Sequence, residues 1–304
     1  MSNIQWTDET WNPIAGCSKV SDGCTNCYAL DMAWRLANIK ATRDQYGPTV
    51  EKAKGKKRWT GKVTFNELSL LKPLRWAKPR KIFVNSMSDL FHEDVTDDQL
   101  DLIFGIMALA PWHQFQVLTK RPERMAKYLG KADWPQIFAK TYSLIKSICM
   151  ENYINFSPIY KRIMDSIAGE CILGNVWCGV SLENQETADE RIPHLLEIDG
   201  VKKFLSCEPL LGPVDLTPPD FRYISDVTSY FWISQMDWII VGGESGPDAR
   251  DIEYDWVAAI RNKIQSYNEW NKHKPTPFFF KQWGGKHPKA NGNVLDGRVW
   301  EQMP

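Results

Sequence analysis

The chain has 304 residues, of which 43% are hydrophobic and 24% charged, and its formal net charge is zero. These values are typical of globular proteins and allow a full core in one large domain or two small ones. Residues 1–5 contain no basic region or apolar run, and no apolar segment is long enough to cross a bilayer. We therefore expect a cytoplasmic protein without a membrane partner.

Short β-branched or aromatic runs alternate with helical patterns along most of the chain. The runs cover residues 10–14, 62–67, 81–89, 114–121, 176–181, 203–209, 237–244 and 277–282. Thr96 is a candidate N-cap for a helix that ends before Pro111, and Pro122 begins another helix. Apolar strands that alternate with helices indicate a parallel sheet covered by helices. About eight such units predict the α/β class and a (β/α) barrel, complete or partial.

Two stretches fall outside this alternation, at about 130–174 and 217–235. The first has apolar residues at helical spacing, and the second is rich in aromatic residues and proline. We interpret both as insertions, the first of them helical, on a single barrel domain that spans residues 1–304. Each is a candidate for a lid or for a partner surface.

Polar side chains follow the predicted strands, where a parallel barrel collects its reactive groups. We take these residues as candidates for the site: Asn66, Glu67, Asn85, Ser88, Asp89, Lys120, Arg121, Ser181, Glu183, Glu208, Glu244 and Lys281. Their recurrence after successive apolar strands is more informative than any one of them, because loop residues are commonly polar. Charged residues at these places can instead form a mutual structural network, and both interpretations stay open.

Three of the seven cysteines, Cys17, Cys24 and Cys27, lie on one loop between the first predicted strand and a helix. An odd number of cysteines in a chain of this kind argues against a disulfide framework and suggests a metal site. A structural zinc site normally has four protein ligands, whereas a [4Fe–4S] cluster held by three cysteines keeps one iron open. Zinc with a distant fourth ligand, such as His92 or Cys207, and unligated thiols are the alternatives.

A basic segment lies between Lys52 and Lys81. It contains eleven Lys or Arg residues and a single acidic residue, Glu67, and Trp59 and Trp76 lie among the charges. Such a segment can follow a phosphate backbone and stack on bases, although a solvated surface is an equally good interpretation.

A three-cysteine loop after the first strand of a (β/α) barrel resembles the radical S-adenosylmethionine superfamily. A closer resemblance, over nearly the whole chain, is to the three-Cys-motif protein family of bacteriophages and bacteria. The matching motifs are TWNP at 10–13, the 17–28 loop, LTKRP at 118–122, GVSLENQ at 179–185, SCEPL at 206–210, GGESG at 242–246 and FKQWG at 280–284. The chain departs from the superfamily's C-x3-C-x2-C pattern, because six residues separate the first two cysteines and Asn26 replaces the aromatic residue.

The resemblance implies an enzyme that uses a [4Fe–4S] cluster, held by the three cysteines, and S-adenosylmethionine to form a 5′-deoxyadenosyl radical. Lys120, Glu183 and Glu208 are then the catalytic candidates, and the other strand-end residues are candidates for binding the cofactor. The implied partners are a nucleic acid or nucleotide substrate, to be modified or repaired, and an electron donor such as flavodoxin or ferredoxin. The alternative is a metal-stabilised nucleic-acid-binding protein without catalysis.

Overall fold

The computed structural model describes residues 4–166, 173–221, 227–287 and 290–304. Cys171 and parts of both predicted insertions lie outside these residues. The strands are β1 (Glu9–Trp11), β2 (Ile14–Ala15), β3 (Val50–Ala53), β4 (Lys56–Trp59), β5 (Thr64–Phe65), β6 (Lys81–Val84), β7 (Gln114–Thr119), β8 (Val176–Ser181), β9 (Lys202–Cys207), β10 (Trp238–Gly242), β11 (Phe278–Gln282), β12 (Val294–Leu295) and β13 (Arg298–Val299).

Seven of these strands form one parallel sheet in the order β1-β6-β7-β8-β9-β10-β11. Each sheet strand after β1 is therefore the neighbour of the sheet strand before it in the chain, as in a (β/α) barrel. The two edge strands, β1 and β11, do not pair with each other in the described residues. The fold is α/β, and the barrel is partial, as the sequence predicts.

The sheet is curled around a layer of aromatic side chains. The Trp6 ring lies 4.9 Å from the ring of Phe83 on β6 and 6.0 Å from the ring of Trp238 on β10. In a flat sheet, four strand spacings would separate β6 from β10 by roughly 19 Å. Trp177, Phe204 and Phe279 belong to the same buried cluster. This aromatic layer fills the base of the half-barrel.

Helices cover the outer face of the sheet. They are α1 (Tyr28–Ala37), α2 (Arg43–Tyr46), α3 (Leu71–Arg75), α4 (Asp97–Leu109), α5 (Pro122–Lys131), α6 (Trp134–Glu151), α7 (Ser157–Ser166), α8 (Gln185–Leu196), α9 (Phe231–Ser234) and α10 (Tyr254–Trp270). The prediction for α4 is confirmed, because Thr96 and Gln99 form a capping box at its start. Pro122 is the first residue of α5, also as predicted.

One predicted strand is not part of the sheet. Of residues 62–67 only β5 is extended, and it pairs antiparallel with β2, so that β1 lies directly beside β6. A two-residue strand carries too little pattern to show its partner, and this pairing was not visible in the sequence. The main sheet consequently has seven strands in place of about eight.

The first predicted insertion contains α6 and α7, between β7 and β8. The apolar residues of α6, among them Ile137, Ile145 and Ile148, are buried, and α6 packs against α4. In the second stretch, the described residues form two short 3-10 turns, Pro219–Phe221 and Val227–Tyr230, and the short helix α9. Among the described residues, no helix has the length and apolar character needed to span a membrane.

Candidate functional site

The three-cysteine loop connects β2 to α1 at the carboxyl edge of the curled sheet. Cys17 follows β2, Cys24 ends a 3-10 turn (Asp22–Cys24), and Cys27 is the N-cap of α1. All three side chains are half-buried. Gly16, just before Cys17, forms a parallel bridge with Ser88 in the loop after β6. The cysteines therefore lie at the end of the half-barrel where the sequence predicts reactive groups.

Glu183, just beyond the end of β8, ties this loop to the barrel. Its carboxylate, 1% exposed, accepts hydrogen bonds from the Ser21 hydroxyl at 2.9 Å and from Arg191 Nη1 at 3.1 and 3.2 Å, and it pairs closely with Lys120. Burial alone would raise the pKa of Glu183, but the positive charges of Lys120 and Arg191 outweigh it and lower the pKa below its ordinary value. Glu183 is therefore ionised at neutral pH and holds residues from three parts of the chain.

Glu244, after the end of β10, holds the other half of the loop. It accepts hydrogen bonds from Asn26 Nδ2 at 2.9 Å and from Arg250 Nε and Nη2 at 3.0 and 2.7 Å. Arg250 Nη2 also donates to the backbone oxygen of Asp22 at 2.9 Å. Burial would raise the pKa of Glu244, but the hydrogen bonds from Arg250 and Asn26 outweigh it and lower the pKa. Asn26, which lies between Cys24 and Cys27, is thus bound by Glu244, and Asp22, which precedes Cys24, is bound by Arg250.

Asp89 and Arg121 hold the start of the loop. Asp89 accepts hydrogen bonds from Thr119 Oγ1 at 2.7 Å and from the Lys120 backbone N–H at 3.0 Å, and it pairs with Arg121 at 3.2 Å. Arg121 Nη2 donates to the Ser18 hydroxyl at 2.7 Å. Ser18, the residue after Cys17, is therefore linked through Arg121 and Asp89 to the segments that follow β7 and β6.

A second acid–base pair, Glu208 with Lys281, faces the interior of the half-barrel. Along β9 and β11, side chains alternate between the two faces, so Glu208 and Lys281 share the inner face with Phe204 and Phe279. The pair spans β10 at Gly242, where a side chain would approach the Glu208 carboxyl to 3.3 Å. Ser181 Oγ donates to the Glu208 backbone oxygen at 2.9 Å and accepts from Lys120 Nζ at 2.8 Å.

Asn85 lies at the end of β6 and is 3% exposed. Neither its amide nitrogen nor its amide oxygen has a hydrogen-bond partner in the described structure, and its φ of 59° lies in the left-handed region. Leaving a buried amide unpaired costs about 1–3 kcal/mol for each group, so such groups normally mark a missing partner. Ser88, three residues later, is engaged with the Ile14 backbone oxygen at 3.0 Å.

Asn66 and Glu67 are the two predicted site residues that the structure places apart from the strand ends of the main sheet. Asn66 caps a 3-10 turn, Glu67–Leu70, by accepting a hydrogen bond from the Ser69 backbone N–H. The Glu67 side chain is exposed. Their expected position, at the end of a second barrel strand, was wrong because that strand belongs to the small β2–β5 pair.

The loop offers three cysteine sulfur atoms as donors for a metal or a cluster. Among the described residues, no three His, Cys, Asp or Glu side chains are already gathered as a metal site. The three thiols nevertheless share the single loop of residues 17–27. Burial raises the pKa of Cys17 to about 12 and also raises that of Cys27, whereas the N–H groups of Ala29 and Leu30, at the start of α1, favour the Cys27 thiolate.

Three soft sulfur donors on one loop, one of them at a helix start, fit an iron–sulfur cluster. Of the two fourth zinc ligands considered above, Cys207 is fully buried in the core between the sheet and the helices, away from the loop. The His92 ring is 1% exposed, and its Nε2 atom makes no hydrogen bond among the described residues but lies 3.5 Å from Glu93 Oε1. His92 therefore stays a candidate ligand.

The site also contains four residues that the sequence analysis did not select: Ser21, Asn26, Arg191 and Arg250. Arg191 had a usable signal, because it lies within the apolar stripe of α8 formed by Ala188, Ile192 and Leu195. A charged side chain at such a place needs a buried partner, which is Glu183. Asn26 and Ser21 offered no comparable signal, since polar residues are ordinary in loops.

A cleft of about 350 Å³ opens beside the Glu183 network. Its lining includes Val20 of the cysteine loop, Lys120, Arg121, Arg191 and His194. The cleft therefore opens onto Lys120 and Arg191, the two cationic partners of Glu183.

The comparisons with known proteins identify a family and two similar structures. A sequence model of the family described as "Protein of unknown function (DUF5131)" matches residues 1–304. A structure of spore photoproduct lyase, in complex with a dinucleoside spore photoproduct, covers 88% of this chain and 75% of its own, with 10% identity and a TM-score of 0.39. The structure of a cysteine-to-serine mutant of spore photoproduct lyase covers 89% of this chain and 76% of its own, with 11% identity and a TM-score of 0.40. No curated protein matches the sequence.

Proposed function

The chain belongs to the DUF5131 family, and we propose that it is a radical S-adenosylmethionine enzyme that acts on a nucleic acid or nucleotide in the cytoplasm. The proposal combines the sequence resemblance to the three-Cys-motif family with the geometry of the loop. The observation that carries it is the position of Cys17, Cys24 and Cys27, which share one half-buried loop at the carboxyl edge of a curled parallel sheet.

The three thiolates are the proposed ligands of a [4Fe–4S] cluster. When bound, this group supplies the one-electron reduction that cleaves S-adenosylmethionine to a 5′-deoxyadenosyl radical, with electrons from a donor such as flavodoxin or ferredoxin. Glu183 and Glu244 act as positioning residues, since they fix Ser21 and Asn26 on either side of Cys24. A loop fixed in this way keeps its three donors near one another at low entropic cost.

The residues of the inner face are the proposed contacts for cofactor and substrate. Glu208 and Lys281 are 17% and 20% exposed at the interior side of the strand ends, so both stay reachable. Asn85 offers an amide whose donor and acceptor are both unpaired, which suits the hydrogen-bonding edge of an adenine or another nucleobase. Beneath them, the aromatic layer excludes water from the base of the half-barrel.

The test is anaerobic reconstitution of the full chain with iron and sulfide, followed by metal analysis and by addition of S-adenosylmethionine and dithionite. We expect about four iron atoms and four sulfides per chain, and 5′-deoxyadenosine after reduction. A protein that retains iron but forms no 5′-deoxyadenosine would contradict the enzymatic part of the proposal. A protein that retains no iron would contradict the cofactor.

A glycine variant tests the position of the loop without touching a ligand. A side chain at Gly23 would collide with the Glu183 carboxyl, so Gly23→Ala should displace the loop and reduce retained iron severalfold. Gly130→Ala is the matched control, because no atom of the described residues lies within 4 Å of the added methyl group, and it should retain iron like the wild type. Equal iron in both variants would show that the Gly23–Glu183 contact does not position the cysteines.

The second candidate function is a zinc-stabilised nucleic-acid-binding protein without catalysis. It is favoured by His92, whose buried Nε2 atom lies 3.5 Å from Glu93 Oε1, and by Glu93 itself, which accepts a hydrogen bond from Ser18, next to Cys17. Stoichiometric zinc in the purified protein, lost in His92→Ala, would establish this function. Zinc that is absent, or that His92→Ala does not change, would exclude His92 as its fourth ligand.

A further inference from the structure

The basic segment of the sequence is divided in the structure into two parts with different surroundings. Strands β3 and β4 form a hairpin over residues 50–59 with five basic residues and one acidic residue. The later part leads to the opposite edge of the sheet, where Arg80 pairs with Glu9 at 2.7 Å and lies over the Trp76 ring. The hairpin belongs to the side of the molecule that carries the cysteines, whereas Trp76 and Arg80 lie at the other edge.

The hairpin is built onto the cysteine loop itself. A side chain at Gly16, which precedes Cys17, would collide with the Lys62 backbone oxygen and the Thr49 side chain at the two ends of the hairpin. Val50 and Trp59, a cross-strand pair, pack in one apolar cluster with Cys27 and with Ala33 of α1. The hairpin therefore starts beside the first cysteine and lies on the helix that follows the last one.

Two of its basic residues are neutralised locally. Lys57 pairs with Asp31 of α1 at 2.6 Å, and Arg58 pairs with Glu51 across the hairpin at 2.6 Å. In contrast, Lys52, Lys54 and Lys56 are exposed and form no ion pair with any residue that the structure describes. The tip of the hairpin thus carries a cluster of uncompensated positive charge.

The turn of the hairpin has a lysine at a position where the backbone conformation favours other residues. Lys54 and Gly55 are the two central residues, with φ of 50° and 79°, as in a type I′ turn, where Asn, Asp or Gly is preferred at the first position. A lysine there gains nothing for the fold, and the exposed Lys54 forms no ion pair with any residue that the structure describes. Both features indicate that the charge has a ligand outside the hairpin.

We infer that the β3–β4 hairpin binds the phosphate backbone of a polynucleotide that reaches the cysteine loop, so that the substrate is a residue within a polymer and not a mononucleotide. The inference rests on the proposed function for the identity of the site. Four residues of strand extend over about 13 Å, whereas successive phosphates of one strand are about 3.4 Å apart along a duplex axis, so the hairpin matches a run of several phosphates. Trp59 and Trp34, whose ring lies 5.9 Å from Lys52 Nζ, pack against the apolar cluster of α1, so the hairpin contacts the polymer through its charges.

A membrane surface is a poorer fit, because binding there needs exposed apolar side chains beside the charges. The hairpin turns Val50 and Trp59 toward α1. Its exposed tip consists of Lys54, Gly55 and Lys56.

The test is fluorescence anisotropy with a labelled single-stranded 20-mer, as DNA and as RNA, at several KCl concentrations. For the variant Lys54→Ala with Lys56→Ala, we expect a dissociation constant roughly tenfold or more higher at 0.1 M salt and a salt slope smaller by about 1.4, because each lost phosphate contact contributes about 0.7. The matched control is Lys127→Ala with Lys146→Ala, which removes two exposed lysines from α5 and α6 and should leave both quantities unchanged.

Loss of affinity for either polymer supports the inference, and the DNA and RNA arms identify which backbone is preferred. Unchanged affinity and salt slope in the hairpin variant would overturn it, as would binding to phosphatidylserine vesicles without binding to either oligonucleotide. The hairpin variant should form 5′-deoxyadenosine without oligonucleotide as the wild type does. A protein without cluster chemistry whose oligonucleotide binding still depends on the hairpin would overturn the proposed function alone.

Discussion

The interior of the half-barrel has two layers of opposite character. The lower layer consists of aromatic rings, with Trp238 within 6.5 Å of four other rings, those of Trp6, Trp177, Phe204 and Phe279. The upper layer, at the strand ends, consists of ion pairs and hydrogen bonds around Glu183, Glu208 and Glu244. The same strands supply both layers, so the change from aromatic to charged occurs within a few residues of each strand.

The two layers contribute differently to the stability of the protein. Aromatic packing stabilises the fold directly, because each ring leaves water and finds close contacts. A buried ion pair gains little net stability, because desolvation of the charges offsets their attraction. A chain that needed only a stable half-barrel would continue the aromatic layer to the strand ends. The charged upper layer is therefore better explained by the loop that it holds than by stability.

The largest expected effect is on the lower layer. Trp238→Ala would open a cavity among the rings around it and should lower the free energy of unfolding by about 3–5 kcal/mol, measured by urea denaturation. The control is Trp270, which is 60% exposed at the end of α10. Trp270→Ala should change the free energy of unfolding by less than about 0.5 kcal/mol. Similar costs for both variants would remove the contrast between the layers, since the rings would then contribute no more than a surface residue.

The next effect concerns the upper layer. Glu183→Gln keeps the shape of the side chain but leaves Arg191, 2% exposed, and Lys120 without their counter-charge. We expect a loss of about 3 kcal/mol in the free energy of unfolding, together with a loss of retained iron. The control is Asp98→Asn, which removes an exposed ion pair with Lys140 and should cost less than about 1 kcal/mol.

A double-mutant cycle with Lys120→Met sharpens this prediction. Lys120→Met should cost less in the Glu183→Gln background than in the wild type, because the lysine has then already lost its partner. Strictly additive costs would show that Lys120 and Glu183 do not act as a pair. Normal iron retention in Glu183→Gln, in turn, would show that the network stabilises the barrel and does not position the loop.

The two layers were not equally predictable from the sequence. Strand and helix periods are local, so all seven strands of the main sheet and the Thr96 cap follow from the apolar pattern and a few cap residues. The position of the cysteine loop at the strand ends also follows from the sequence, because the loop comes after a predicted strand and before a predicted helix. The predicted strand at 62–67 failed because its two paired residues are too few to specify a partner.

The partners in the upper layer depend on contacts between distant parts of the chain. Ser21 meets Glu183 across 162 residues, and Asn26 meets Glu244 across 218. Nothing in either neighbourhood specifies such pairs, since serine and asparagine are common in any loop. The sequence therefore indicates which carboxylates lie at the strand ends. Only the structure shows that two of them, Glu183 and Glu244, accept hydrogen bonds from residues of the cysteine loop.

The smallest expected effect is a pH dependence at Glu244. Its folded pKa lies below the ordinary value of about 4.3, so its charge contributes stability that is present above that value and is lost as the pH falls through the folded pKa. The free energy of unfolding should therefore be about 1 kcal/mol higher in the wild type than in Glu244→Gln at pH 6, and this difference should shrink steadily toward pH 3. Arg250→Met should weaken the pH dependence, because it removes the guanidinium charge and the two hydrogen bonds that the Arg250 side chain donates to the carboxylate. A difference that is constant from pH 6 to pH 3 would mean that shape, and not the charge of Glu244, holds Asn26 and the second half of the cysteine loop.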